Sequence, residues 1–210
     1  MELIAIVARK TKEDSQLTRE AILDAAESVI FKKGMSYTTM ADIADAANVS
    51  RGAVYGHYKG KVEVATAMVS RTLDTIQIIE KLEHESHLQY LYRLGLQHLH
   101  LSVDPGAVQR VLLILYIRND DTPELIEQRV AWEQTHFGRV KHCINQAIAA
   151  NELATNTDPY MAALYFQTLL DGIFCSLFWS NYCSDNQWET AEKLYKIGFE
   201  ALQTSRQFLR

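Results

Sequence analysis

Residues 39–58 contain two short amphipathic segments separated by a tight turn, a pattern that strongly limits how this part of the chain can fold. The first segment begins at Thr39, whose side chain can cap a helix, and Asp42 follows three residues later, as in a capping box. Asn48 tolerates the left-handed backbone that a tight turn requires. Ser50 can cap the second segment. Two short helices joined in this way form a helix-turn-helix.

Helical spacing of apolar residues continues through nearly all of the 210 residues, and no stretch alternates apolar and polar residues for long enough to predict a sheet. Before the helix-turn-helix, a helix is predicted from Leu17 to Lys33, with Gly34 ending it. A long helix is predicted from Lys61 to about Leu82. Further helices are predicted at residues 87–103, 107–118, 123 onward, 159–179 and 187–207. We therefore expect an all-α protein.

The charge of the chain is distributed unevenly. The net charge is −5, which is unusual for a protein that binds nucleic acid. Residues 1–62 carry nine basic and eight acidic side chains, whereas the remaining residues carry twelve basic and eighteen acidic ones. No acidic residue occurs from Asn48 to Lys61. The acidity therefore lies in the C-terminal part, and the helix-turn-helix can approach a polyanion.

Cysteine usage and hydropathy indicate a cytoplasmic protein without membrane contact. Cys143, Cys175 and Cys183 form no CxxC pair, and an odd number of cysteines argues against a disulfide framework. Only Cys143, which follows Lys141 and His142, has the basic neighbours that a redox-sensing thiolate needs. No apolar run approaches the roughly 20 residues that cross a bilayer.

Neither a metal site nor an enzyme is predicted. His84 with His87, and His98 with His100, lack an acid or a cysteine in a suitable position, and no cofactor motif occurs. A glycine-rich phosphate loop, a nucleophile motif and paired metal ligands are all missing from the sequence. A helical protein-interaction module stays open as an alternative, and it would show no salt-dependent DNA binding.

Residues 38–44 (TTMADIA) and 49–61 (VSRGAVYGHYKGK) resemble the DNA-binding signature of TetR-family repressors. Residues 8–13 and 18–24 narrow the resemblance to the AcrR-like repressors of multidrug efflux pumps. Two positions depart from the family: Gly56 replaces a bulky aromatic residue, and Gly60 replaces Asn, Asp or Ser. A glycine inside a helix costs about 1 kcal/mol relative to alanine. Gly56 therefore suggests either a helix that orders on DNA or a close approach of the helix backbone to DNA.

The resemblance implies three parts of the chain: a flexible basic arm at 1–15, a helix-turn-helix DNA-binding domain at 16–62, and a ligand-binding and dimerisation domain at 63–210. The implied partners are double-stranded operator DNA, a small hydrophobic or cationic inducer, and a second copy of the chain. The arm could reach the minor groove or remain a solvated tail.

The second helix of a helix-turn-helix enters the major groove, so Arg51, Gly52 and Ala53 at its start are expected to meet base edges. Arg51 can pair with guanine, and Ala53 can touch a thymine methyl. Thr39, at a helix N-terminus, is suited to a phosphate. The flanking phosphates are assigned to Tyr55, His57, Lys59 and Lys61.

An inducer site is expected among the aromatic residues of the C-terminal domain. The candidate ligand contacts are Tyr92, Tyr116, Trp132, Phe137, Phe174 and Phe178. Aromatic residues at helical spacing also serve as core, so this alternative stays open. Asp171 could pair with a cationic drug, or it could be satisfied by a neighbouring helix or by the dimer partner.

The resemblance also implies that the last two helices form a four-helix bundle across a twofold axis. The candidate interface residues are Phe166, Leu170, Leu177, Leu194, Ile197 and Ala201. A ligand that prefers a conformation with the two recognition helices wrongly spaced would then weaken operator binding, with the helix from Lys61 as the lever. The alternative is a redox-responsive or metabolite-responsive TetR-type regulator of other genes.

Overall fold

The computed structural model describes residues 2–179 and 186–209. The helices are α1 (Glu2–Lys33), α2 (Met40–Ala46), α3 (Arg51–His57), α4 (Lys61–Asp74), α5 (His87–Val103), α6 (Ala107–Leu113), α7 (Pro123–Ala149), α8 (Pro159–Ile173) and α9 (Gln187–Thr204). π-Helical turns continue α6 over Ile114–Arg118 and α8 over Phe174–Trp179. Within the described ranges, β-type pairing is limited to one bridge between Thr157 and Leu209. The predicted all-α class is confirmed.

The chain divides into two compact units, each built from two stretches of sequence. The N-terminal unit comprises Met1–Ile76 and Pro105–Val130, and the C-terminal unit comprises Gln77–Asp104 and Ala131–Arg210. This division differs from the expected boundary near residue 62, because α4 and α6 both pack against α1. The DNA-binding domain expected at 16–62 is therefore only part of a larger unit.

The core of the N-terminal unit explains why α6 belongs to it. Ile22 and Ile30 of α1 and Met68 of α4 are fully buried. Ile114 and Leu115, in the π-helical turn after α6, are also fully buried and lie in the same apolar cluster. Without residues 105–130, the inner faces of α1 and α4 would lose part of the apolar surface that covers them.

Two helix boundaries differ from the sequence-based expectation. The structure places residues 2–15, expected to be a flexible arm, in the first part of α1. Helix α4 ends at Asp74, whereas the apolar spacing predicted a helix to about Leu82. The physical reason is that Ile78 and Ile79 pack against the core of the C-terminal unit, so the chain leaves the helix to follow that core.

The core of the C-terminal unit is centred on aromatic residues of α8 and α9. Phe166 is 1% exposed and Tyr195 is fully buried. The Tyr195 hydroxyl donates a hydrogen bond to the carbonyl of Tyr92 (3.0 Å). Gly95 permits this close approach of α5 to α9, because a Cβ at that position would lie 2.1 Å from the Tyr195 hydroxyl oxygen.

One described helix, Pro159–Phe178, is long and apolar enough to cross a membrane by length and composition. This finding corrects the expectation that no segment of the sequence would qualify. The apolar character of the helix has a role within the unit, since Phe166, Leu170 and Ile173 are buried in its core.

Candidate nucleic-acid interface

The local geometry of the helix-turn-helix agrees with its predicted caps. The Thr39 hydroxyl accepts a hydrogen bond from the backbone N–H of Asp42 (3.1 Å), and the Asp42 carboxylate accepts one from the N–H of Thr39 (2.9 Å). Asn48 has φ of 52° in the turn. The Ser50 hydroxyl accepts a hydrogen bond from the N–H of Ala53 (3.1 Å). Side chains within this short segment thus cap the N-termini of both α2 and α3.

Helix α3 has one face in the core and one in solvent. Val54 is fully buried and Tyr58, just after the helix, is 4% exposed. The exposed residues of α3 are Arg51, Gly52, Tyr55 and Gly56, with Ala53 and His57 half-buried. Arg51 and Tyr55 lie one helical turn apart, so a cation and an aromatic ring stand together on the solvent face. Such a face can enter a groove of DNA.

The electrostatics around α2 keep its N-terminal cap intact at low pH. The Lys33 ammonium lies 2.6 Å from the Asp42 carboxylate. The hydrogen bond from Lys33, together with those from Thr39, lowers the pKa of Asp42 from its usual value to about 2. Asp42 therefore stays ionised at neutral and mildly acidic pH, where it keeps the Thr39 backbone in place.

Lys61 is engaged within the protein rather than projecting freely toward DNA. Its ammonium donates hydrogen bonds to the carbonyls of Met35 (2.8 Å) and Ser36 (3.1 Å). These carbonyls belong to the turn that joins α1 to α2. Lys61 was expected to contact a DNA phosphate. In the structure its ammonium holds this turn instead. Lys59 is exposed, and its backbone N–H donates to the Glu63 carboxylate (2.6 Å).

Tyr37 is a candidate contact that the sequence reasoning missed. It lies in the turn between Gly34, where α1 ends, and Thr39, where α2 is capped, and it is 80% exposed. A large aromatic side chain in so short a turn has no core to fill, and this was the signal available in the sequence. The basic side chains at positions 9 and 10, expected to form the arm, lie outside the residues whose side chains the structure describes.

The predicted ligand residues are divided between the two units. Tyr116 belongs to the N-terminal unit, where the Arg129 guanidinium lies 5.6 Å from its ring centroid. In the C-terminal unit, Trp132 packs on His136 (3.9 Å between ring centroids) and Phe137 packs edge-on to Tyr160 (5.5 Å). The half-buried residues Phe174 and Phe178 lie in the π-helical turn after α8.

Tyr92 is the one predicted ligand residue that lines a described cavity of the C-terminal unit. This cavity is an open groove of about 710 Å³ between the start of α5 and the end of α9. Tyr92 stacks on Tyr195 (5.0 Å) and meets Phe199 edge-on (5.1 Å), which gives the groove an aromatic floor. Its rim is charged and polar, with Glu85, Arg93, Glu152, Lys196, Glu200 and Gln203.

Asp171 lies on the exposed side of α8 and is held by the amide of Gln167, which donates a hydrogen bond to its carboxylate (2.9 Å). Removal of water by neighbouring atoms raises the pKa of Asp171, and the charge of Glu133 adds to the rise. Asp171 is thus paired within its own helix, and not by the neighbouring helix or the dimer partner that the sequence left open.

A second cavity of the C-terminal unit, of about 20 Å³, has room for about one water molecule. His98 and His136 both line it, together with Gln167 and an apolar wall. Burial lowers the pKa of each histidine to about 4, with the neighbouring His98 and Arg139 contributing to the shift at His136. Both imidazoles are therefore neutral at pH 7 and able to donate and accept hydrogen bonds. Sequence reasoning had considered His98 only beside His100.

The cysteines give little support to a redox role. Cys143 is 3% exposed, and its thiol donates to the carbonyl of His87 (3.2 Å). Burial raises the pKa of Cys143 to about 12, opposite to the shift that a reactive thiolate requires. Burial also raises the pKa of Cys175, and Cys183 lies outside the described residues.

The predicted dimer residues separate into two groups. Phe166, Leu170 and Leu177 are 1%, 1% and 6% exposed, so they are core residues and are removed from the expected interface. Leu194 (41%) and Ile197 (64%) are exposed on α9, and Ala201 is half-buried. Helix α8 adds further exposed apolar side chains at Tyr160, Met161 and Leu164.

A capped helix-turn-helix with an exposed cationic and aromatic face, joined to a second helical unit, defines a class of DNA-binding regulators. Residues 22–68 match the sequence model described as bacterial regulatory proteins, tetR family. The chain belongs to the TetR family of transcription regulators, as the resemblance implied, and it is not an enzyme.

Three relatives illustrate the similarity. The crystal structure of MexZ, described as a key repressor responsible for antibiotic resistance in Pseudomonas aeruginosa, is 40% identical and has a TM-score of 0.86, covering 93% of this chain and 99% of that one. NalD, the secondary repressor of the MexAB-OprM multidrug efflux pump in Pseudomonas aeruginosa, is 29% identical with a TM-score of 0.74, covering 92% and 99%. The probable acrEF/envCD operon repressor of Escherichia coli K12 is 30% identical, covering 70% of this chain and 71% of that protein. These similarities agree with the predicted AcrR-like subgroup.

Proposed function

We propose that this protein represses a multidrug efflux operon and is released from its operator by a small hydrophobic or cationic ligand. The observation that carries the proposal is the exposed Arg51 and Tyr55 face of α3, in a chain that is 40% identical to MexZ over 93% of its length. Similarity to NalD, a repressor of an efflux pump, supports the choice of target. A regulator of this kind works in the cytoplasm, where the operator is.

The proposed base contacts are Arg51, Gly52 and Ala53, at the N-terminal end of α3. Phosphate contacts are assigned to Thr39, Tyr55, His57 and Lys59, with Tyr37 added because it is exposed beside Thr39. An anionic partner fits this surface, since its exposed cations Arg51 and Lys59 face solvent without a carboxylate between residues 48 and 61. Binding should therefore weaken steeply with salt.

For the inducer, we propose the groove that Tyr92 and Phe199 line. Aromatic rings attract an organic cation through their π faces, and the three rim carboxylates outnumber the two rim cations, Arg93 and Lys196. The Tyr116 ring is less suited to a cation, because the Arg129 guanidinium already lies over it. Replacement of Tyr92 by alanine should weaken binding of ethidium, whereas replacement of Tyr116 should not. Equal effects of the two changes would argue against the groove.

For dimerisation, we propose that the exposed apolar residues of α8 and α9 meet their copies in a second subunit. These residues are Tyr160, Met161, Leu164, Leu194 and Ile197. Ile197→Glu should shift the protein from dimer to monomer in analytical ultracentrifugation, because it would bury a charge in an apolar interface. Leu82→Glu is the matched control, since Leu82 is also exposed (61%) but lies outside both helices. Dimers that persist in Ile197→Glu would rule out this face.

The main experiment is a mobility-shift titration of the purified protein with DNA from its own upstream region, at several salt concentrations, with and without ethidium. A specific complex that ethidium releases would support an efflux repressor. A specific complex that dyes leave intact would indicate a repressor with another inducer. Absence of any specific complex would contradict the proposed function. Because ethidium also binds DNA, release should be repeated with a non-intercalating cation such as tetraphenylphosphonium.

A further inference from the structure

The turn between α1 and α2 is held by two segments distant in sequence, both within the N-terminal unit. The Lys61 ammonium donates to the carbonyls of Met35 and Ser36. From the other segment, the carbonyl of Arg118 accepts a hydrogen bond from the N–H of Met35 (3.0 Å), and the Asp120 carboxylate accepts one from the N–H of Ser36 (2.6 Å). The backbone N–H and carbonyl groups of Met35 and Ser36 thus all form hydrogen bonds with residues outside the turn.

The backbone around the Asp120 contact adopts a conformation that few residues favour. Asp120 and the next residue, Asp121, have φ of 48° and 58°, in the left-handed region. Asp and Asn enter this region more readily than other side chains, but two consecutive non-glycine residues there need support from their surroundings. On the other side of the contact, Gly34 has φ of 81°, and a Cβ there would lie 2.7 Å from an Asp120 carboxylate oxygen. The turn and Asp120 therefore fit each other closely.

Asp120 follows the π-helical turn Ile114–Arg118 that ends α6. A π-turn contains one residue more than an α-helical turn and is often found at functional positions. If this turn relaxed to an α-helix, the residues after it would rotate by about 100° relative to α6. The Arg118 carbonyl and the Asp120 carboxylate would then leave Met35 and Ser36.

Helix α6 itself is tied to α1 by the ion pair between Arg110 and the nearly buried Glu27 (2.5 Å).

We propose that Asp120 is a positioning residue for operator binding: its carboxylate fixes the turn at residues 34–37 and so places Tyr37 and the N-terminus of α2 on the DNA. Asp120 is exposed and negatively charged, so it repels phosphate and does not bind DNA itself. Its removal has two opposite consequences. Loss of the charge strengthens non-specific attraction to DNA, whereas loss of the contact weakens specific binding.

The test compares Asp120→Ala with Asp121→Ala, a matched control. Both changes remove an exposed carboxylate from a left-handed position, but only Asp120 contacts Ser36. Affinity is measured by fluorescence anisotropy for two duplexes of the same length. The first, called the protected duplex, is the upstream sequence that the protein protects from nuclease cleavage, and the second is a scrambled version of it. Asp120→Ala should weaken binding to the protected duplex about tenfold while binding the scrambled duplex slightly more tightly. Asp121→Ala should lack the specific loss, and Asp120→Asn should restore most of it, because its side-chain oxygen can still accept from Ser36.

A second measurement tests the contact without DNA. Hydrogen exchange of the segment containing Met35 and Ser36 should accelerate in Asp120→Ala and stay at the wild-type rate in Asp121→Ala. Equal exchange in both variants, or an equal loss of specificity in both, would overturn the positioning role. If the wild-type protein failed to distinguish the two duplexes, the proposed operator function would fall, and Asp120 would lose its role in operator binding with it. Exchange alone would then report whether the contact holds the turn.

Discussion

Arg51 and Tyr55 of the N-terminal unit stay exposed on a short capped helix, whereas Tyr92 and Phe166 of the C-terminal unit pack among other aromatic rings. The first pair is placed by hydrogen bonds within a few residues of sequence. The second pair is placed by contacts between α5, α8 and α9. A DNA-binding surface can thus be specified by residues that are close in sequence, whereas a small-molecule site depends on the space that long-range packing leaves.

The strongest test of this contrast is Phe166→Ala. If Phe166 is a core residue, its truncation should lower the free energy of unfolding by about 3–5 kcal/mol, because it leaves a cavity in a packed interior. Chemical denaturation at two protein concentrations measures this loss. If Phe166 lay in the interface, the loss of unfolding free energy would instead be small and would grow as the protein is diluted. That result would contradict the placement of Phe166 in the core.

Arg51→Ala should have the next largest effect, and it should act only on DNA binding. Loss of a bidentate contact to guanine costs about 1–3 kcal/mol of discrimination, while stability should hardly change because Arg51 is exposed. Anisotropy with the protected duplex and its base-substituted versions measures both affinity and specificity. Arg206→Ala serves as the control, since Arg206 is exposed near the C-terminus. A similar loss in both variants would mean that Arg51 contributes charge alone.

Acidification should affect the two units differently. The pKa values of His98 and His136 are about 4 in the folded C-terminal unit and about 6.5 when unfolded. The unfolded chain therefore binds more protons between these values, so the histidine contribution is complete above pH 6.5 and is lost as the pH falls toward 4. The loss at pH 5 should be about 2 kcal/mol per histidine.

Unfolding at pH 7 and pH 5 measures this difference, and His98→Gln and His136→Gln should each reduce it. The cap at Asp42 should not contribute, because its pKa is about 2 in the folded protein and its unfolded value also lies below pH 5. An unchanged pH response in both glutamine variants would show that other groups carry the acid sensitivity.

Gly56→Ala should have the smallest overall effect of these changes, and it should stabilise the protein. No heavy atom lies within 4 Å of a Cβ at this position, so alanine should gain up to about 1 kcal/mol of helix propensity in α3. Thermal unfolding measures the gain. If Gly56 serves a close approach of α3 to DNA, the same variant should bind the operator more weakly. Unchanged operator affinity would leave Gly56 without a role at the interface.

The local features of the N-terminal unit could be predicted because their causes are adjacent in sequence. The caps at Thr39 and Ser50 each join a side chain to a backbone group three residues away, and the left-handed φ at position 48 suits the Asn that stands there. The role of Lys61 could not be predicted in this way. Its hydrogen bonds reach residues 25 and 26 positions away, and no spacing rule connects them.

The aromatic residues of the C-terminal unit show the same limit. Tyr92 and Tyr195 are 103 positions apart, yet they stack on each other, so apolar spacing within one helix could not place them. Phe166 and Leu170 were expected at an interface because the resemblance implied that the last two helices pair with their copies in a second subunit. That face instead meets the core, and the exposed apolar residues Met161 and Leu164 lie on another face of the same helix.

The discontinuous N-terminal unit has a consequence for building chimeric regulators. The chain passes between the units three times, after Ile76, after Asp104 and after Val130. A hybrid that took only residues 1–76 from this protein would expose the apolar faces of α1 and α4. We expect such a hybrid to aggregate unless residues 105–130 are transplanted as well. New DNA specificity should therefore be engineered by changing α3 within the intact chain rather than by exchanging the first 76 residues.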